Sequence, residues 1–79
     1  MDHPATFGLD IELVNAASQL TTLIVEVHTA KRKRDTWANN GRPRLAAAFG
    51  RLADEIEHDI TRARAAHPRA AALVDAMNR

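Results

Sequence analysis

The sequence predicts an all-α protein: an antiparallel helical hairpin with a short C-terminal third helix, assembling as a dimeric four-helix bundle. Three observations lead there. From Leu9 to Ala30 the apolar residues return with a period of about 3.6, so that Leu13, Ala17, Leu20, Ile24 and Val27 share a narrow sector of one helix. A second stripe, Leu45, Phe49, Leu52, Ile56, Ile60 and Ala63, follows a break at Asn39-Asn40-Gly41 and Pro43. The composition is the third. Leu, Ile, Val and Phe number 17 of 79 residues while alanine alone numbers 16, which favours helix but buries little area.

The first helix is expected over about 10–38, with residues 1–8 a flexible tail interrupted by Pro4 and Gly8 and anchored only by Phe7. Asp10 is the expected N-cap, Thr6 its competitor, and Glu12 suits the first turn. Flanking the main stripe are Val14, Thr21, Val25 and His28 on one side and Ala16 and Leu23 on the other. That width exceeds what one partner helix covers, so the helix is expected to pack on its own hairpin partner and on a second chain. His28 falls in this sector and is expected to be partly buried across the interface.

Pro43 suits the first position of a second helix, about 43–66, which Pro68 ends. A third, about 68–77, places Leu73, Val74 and Met77 on one side, either to fold back over the open end of the hairpin or to fray. Strands are not expected: alternation fails at Leu23-Ile24-Val25. Residues 9–79 thus form one helical domain, with Leu13, Leu20, Ile24, Val27, Phe49, Leu52, Ile56 and Ile60 as core or oligomer contacts. Oligomerisation is the simplest way to thicken so thin a core in a chain without cysteine.

The net charge of +1 conceals a pattern. Residues 1–30 sum to −4, 31–51 to +6, 52–59 to −4 and 60–79 to +3. The hairpin therefore carries a basic tip: Lys31, Arg32, Lys33 and Arg34, then Arg42 and Arg44, with Trp37 between them as a cover for the tip or an anchor for a protein partner. Four successive residues turn through about 300° of helix surface, so only subsets of the run point one way. Lys31 and Arg34 fall on the core side and Lys33 outward. Nucleic acid is one expected partner for such a tip.

Gly41-Arg42-Pro43 within Asn40–Arg44 resembles the centre of the AT-hook, a peptide that binds the minor groove of AT-rich DNA. The resemblance implies an extended Arg42 inserted in the groove, with basic neighbours on the phosphates. The pattern departs from the family at Asn40, where arginine is usual. Trp37 to Gly41 is similar in outline to the Trp-x-Gly turn of helical-hairpin secretion partners, with two extra residues. Glu55 and His58 have the Glu-x-x-His spacing of ferritin-like two-iron proteins, and that resemblance would make Glu26 the further carboxylate and the protein a metal-binding oligomer. By helical phase, however, His58 and Glu26 both point away from the core.

No enzyme chemistry is legible. Ser18 is the only serine and has no base at i+4, and the three glycines fit no phosphate-binding loop. No cofactor is expected. No stretch approaches the roughly 18 apolar residues of a membrane span, and the start of the chain is acidic, so a cytoplasmic location is expected. The function that follows is that of a small non-enzymatic, homo-oligomeric interaction or regulatory (adaptor) protein. The alternatives are an accessory nucleic-acid-binding protein and a ferritin-like metal-binding oligomer.

Overall fold

The computed structural model describes residues 3–79, with side chains from Ile11 onward. Three helices make up this stretch: α1 (His3–Asn39), α2 (Pro43–Ala66) and α3 (Pro68–Met77). α1 has 37 residues, about 55 Å at 1.5 Å per residue, and it sets the length of a rod measuring 61 × 20 × 18 Å.

The start of α1 corrects the expected cap. The helix begins at His3 rather than near Asp10, which lies inside it together with Thr6. Pro4 falls in the first turn, where its missing amide costs nothing, and a single glycine costs only about 1 kcal/mol. A helix nucleated further along propagates back through both. Met1 and Asp2 lie outside the described residues, and the expected Phe7 anchor lies outside the described side chains.

The expected stop is made by a specific hydrogen-bonded turn. Gly41 adopts φ +72°; its amide donates to the Ala38 carbonyl at 3.1 Å, and the Arg42 amide donates to the Trp37 carbonyl at 2.9 Å. This pair of bonds is the Schellman arrangement, which satisfies carbonyls that a helix end leaves open. A Cβ on Gly41 would meet no atom within 4 Å, so only the backbone conformation demands glycine. Gly41→Ala is therefore expected to cost about 1–2 kcal/mol, read as a lower urea midpoint with unchanged helicity. A midpoint equal to the parent's would mean that the left-handed turn is not what ends α1.

α2 runs back along α1, and its contacts make one of two core clusters. Val27 and Ala30 meet Ala53 and Ile56, with Leu23 and Ile60 packed alongside. Pro68 ends α2 as expected. The helix closes on His67, whose amide donates to the Ala63 carbonyl at 2.9 Å, and whose own carbonyl takes the Ala71 amide as α3 begins.

α3 folds back over the open end of the hairpin instead of fraying. Ala70, Ala71 and Val74 join Ala17 and Leu20 in the second cluster, with Leu13, Ala16, Ile24, Ile60 and Ala63 against it. The docking face is thus Ala70-Ala71-Val74, and of the expected trio only Val74 points inward. Leu73 and Met77 remain exposed, Met77 at 62%.

Alanine shapes the seam between α1 and α2. Ala46 and Ala53 are buried, whereas Leu45 and Leu52, on the expected stripe, stay more than 40% exposed. Phe49 is half-buried between them. α2 is therefore rolled so that its small residues face α1, since interaxial distance follows the side chains at the contact. Leu20, Val27 and Ile56 are buried as expected; Leu13, Ile24 and Ile60 are partly so. Gly50 extends the small side of α2: a Cβ there would meet Arg34 Cδ at 3.6 Å.

One charged contact pins α3. Arg64 Nη1 and Nη2 donate to the two carboxylate oxygens of Asp75 at 3.0 and 2.8 Å, a fork-to-fork pair. These hydrogen bonds hold the Asp75 carboxyl below its ordinary value, and Asp75 raises the Arg64 guanidinium. A lowered carboxyl contributes stability above its unfolded pKa of about 4 and loses it as pH falls through the lower folded value. Amide exchange in α3 is thus expected to accelerate, relative to the hairpin, as pH falls below about 4. Asp75→Asn should abolish that extra acid sensitivity. Equal acid responses of α3 in both proteins would count against the pair as a latch.

Candidate self-association face

The feature left unpartnered by this fold lies along the outer side of α1. Ile11, Val14, Ser18, Thr21, Val25 and His28 are all exposed, Val14 at 56% and Val25 at 58%. They succeed one another at intervals of three and four, the spacing of a second coiled-coil seam beside the one that meets α2. Between Leu13 and Ala30 the only carboxylate or ammonium-type charge is Glu26. The outer side of α2 is the opposite: Arg51, Asp54, Glu55, Glu57, His58 and Arg62 are exposed there. Depletion of charge is what distinguishes the centre of a contact surface from ordinary protein surface.

α3 extends this face. Leu73 and Met77 stand beside Val14, Ser18 and Thr21 and close a groove of about 450 Å³ with them. Sequence reasoning picked out Val14, Thr21, Val25 and His28 but not Ile11 or Ser18, although the three-four spacing that joins them was there to read. The contribution of Leu73 and Met77 depends on how α3 is rolled. His28 is exposed in the single chain, so any burial it undergoes comes from a second one.

The basic tip is less uniform than its sequence. Lys31 Nζ pairs with Glu57 at 3.1 Å, Arg34 Nε with Asp35 at 3.0 Å, and Lys33 Nζ lies 5.7 Å from the Phe49 ring centre. Lys31 and Arg34 are half-buried while Arg32, Lys33, Arg42 and Arg44 are exposed, as the rotation of the run requires. Trp37 is half-buried at the tip. Arg42 sits in the Schellman turn and Pro43 opens α2, so the Gly41-Arg42-Pro43 segment lacks the extended form that the AT-hook resemblance implies.

Glu26, Glu55 and His58 are exposed, and among the described residues no group of three or more His, Asp or Glu side chains is placed to hold a metal ion. No described helix is long and apolar enough to cross a membrane. The chain matches no protein-family model, no curated protein and no solved structure.

Proposed function

We propose that this chain is a small homo-oligomeric interaction module, a helical adaptor without catalytic chemistry, that assembles through the outer face of α1. The observation that carries this reading is the uncharged, exposed seam from Ile11 to His28, widened by Leu73 and Met77. A lone helical hairpin spends its outer side on charge; α2 does so and α1 does not. The alanine-lined core supports the same reading, because among the described residues only Leu20 and Val74 are large and fully buried. Size-exclusion chromatography with light scattering at micromolar concentration is the test. A mass of at least twice 8.7 kDa is expected. A compact folded monomer would remove the proposal.

The basic tip supports a second reading, an accessory contact with nucleic acid through Arg32, Arg42 and Arg44, which stay exposed at one end of the rod. Each phosphate they neutralise should steepen the salt dependence of duplex binding by about 0.9 log units. Absence of salt-sensitive binding in the micromolar range would eliminate it.

A further inference from the structure

A surface that binds its own copy must complement itself, and the α1 seam can be checked position by position. In an antiparallel pair of helices, the two sets of seam positions, 11/18/25 and 14/21/28, face each other. The central layers then pair like with like: Val14 meets the partner's Val25, and Ser18 meets the partner's Thr21. Ile11 meets the partner's His28 at the margins.

We propose that the outer face of α1 docks a second copy of this chain antiparallel to itself, in the register Val14–Val25 and Ser18–Thr21, with the twofold axis between the two central layers. The proposal rests on the self-association reading above and adds direction, register and the residues that meet. Charge selects the direction. A parallel pair would lay the run Lys31–Arg34 against its own copy, and the acidic positions Asp10 and Glu12 of α1 against theirs. The antiparallel pair brings each basic run toward the acidic start of the other α1, which removes both repulsions and creates an attraction at each end. Asn15, Thr22 and Thr29, along one edge of the seam, carry no charge to oppose approach. Leu73 and Met77 line the same groove, so the incoming helix covers them as well.

The exposed area fits a second copy. The chain presents 5950 Å² to solvent, where a compact monomer of 8.7 kDa presents about 4,700 Å². The excess is greater than the roughly 800 Å² that each partner buries in an interface of standard size. The radius of gyration agrees, at 16.6 Å against about 12 Å for a compact domain of this length. Side-by-side pairing along α1 shortens neither helix and makes the rod thicker.

The chain has no cysteine, so single thiols report the register directly. Val14→Cys and Val25→Cys are prepared separately, and each is oxidised alone and as an equimolar mixture after subunit exchange. Far-UV circular dichroism and light scattering are recorded on the same samples. Non-reducing mass analysis is expected to show the mixed 14–25 disulfide forming on the order of tenfold faster than either homodisulfide, since only that pair comes within the Cβ separation of about 3.5–4.5 Å that the bond needs. A second mixture, Ile11→Cys with His28→Cys, should behave alike, because like positions there also lie far apart along the antiparallel pair, and it serves if a valine variant loses helicity. Faster homodisulfides in the separate samples would mean parallel pairing and overturn the register. A dimer by light scattering without preferential mixed disulfide would place the interface elsewhere; either result leaves self-association standing. A monomer at every concentration overturns both the register and the function proposed above.

Discussion

Leu20→Ala is expected to cost about 2–5 kcal/mol, the range for truncating a buried leucine. Leu20 is 1% exposed and packs where α1 meets α3, among Ala17, Ala70, Ala71 and Val74. Its neighbours are mostly alanines on rigid helices, which have few atoms with which to fill the space it leaves. Small domains hold only about 5–15 kcal/mol in all, so the variant should be partly unfolded at modest urea. α3 should loosen first, since among the described residues its attachment to the hairpin rests on this cluster and the Arg64–Asp75 pair. Lys33→Ala is the comparison: its exposed ammonium over Phe49 contributes no more than about 1 kcal/mol. Urea unfolding of both variants and the parent at two protein concentrations provides the measurement. Similar losses for Leu20→Ala and Lys33→Ala would show that the centre of α1 is not the structural core. If the interface along α1 forms, every midpoint should also rise with protein concentration.

Ala53→Leu is expected to destabilise by about 1–3 kcal/mol, although it adds apolar volume to a thin core. Ala53 is 1% exposed and packs in one cluster with Val27, Ala30 and Ile56. At so buried a position the added volume of a leucine must push α2 from α1, losing contacts along the seam. Leu52→Ala, one position away, should cost far less in the single chain because Leu52 is 43% exposed. Thermal unfolding of the two variants decides the matter. A stabilised Ala53→Leu protein would mean that the helices stand further apart than described, with Leu45, Phe49 and Leu52 as the true contact face.

Much of this architecture was legible because helices report themselves locally. The period of Leu13, Ala17, Leu20, Ile24 and Val27 identified both the element and its buried side. Asn39-Asn40-Gly41 and Pro43 marked the turn through backbone chemistry that needs no knowledge of the rest of the chain. Pro68 separated α2 from α3 in the same way. The start of α1 was misread because Pro4 and Gly8 were counted as interruptions, whereas a proline in the first turn is neutral and one glycine is affordable within a long helix. On the candidate face, the flanking residues Val14, Thr21, Val25 and His28 stood out as apolar or uncharged positions too far round the helix for α2 to cover.

The roll of each helix about its own axis lay beyond the sequence. A stripe of large residues on α2 suggested that Leu45, Phe49 and Leu52 face inward, yet a turn of a few tens of degrees brings Ala46 and Ala53 there instead. Both orientations satisfy the period; only the mutual fit of α1 and α2 distinguishes them, and closer approach of the backbones favours the small residues. α3 is the same case. Its sequence permits Leu73, Val74 and Met77 to face one way, but docking on Leu20 selects Ala70, Ala71 and Val74. Leu73 and Met77 are thereby turned outward beside Val14 and Thr21. Helix positions, the turn after α1, the break between α2 and α3 and the amphipathic character were thus determined by the sequence, through periodicity and capping. Which residues are core and which are surface was decided by tertiary packing, because burial depends on the distance between helices, a property that no single helix possesses.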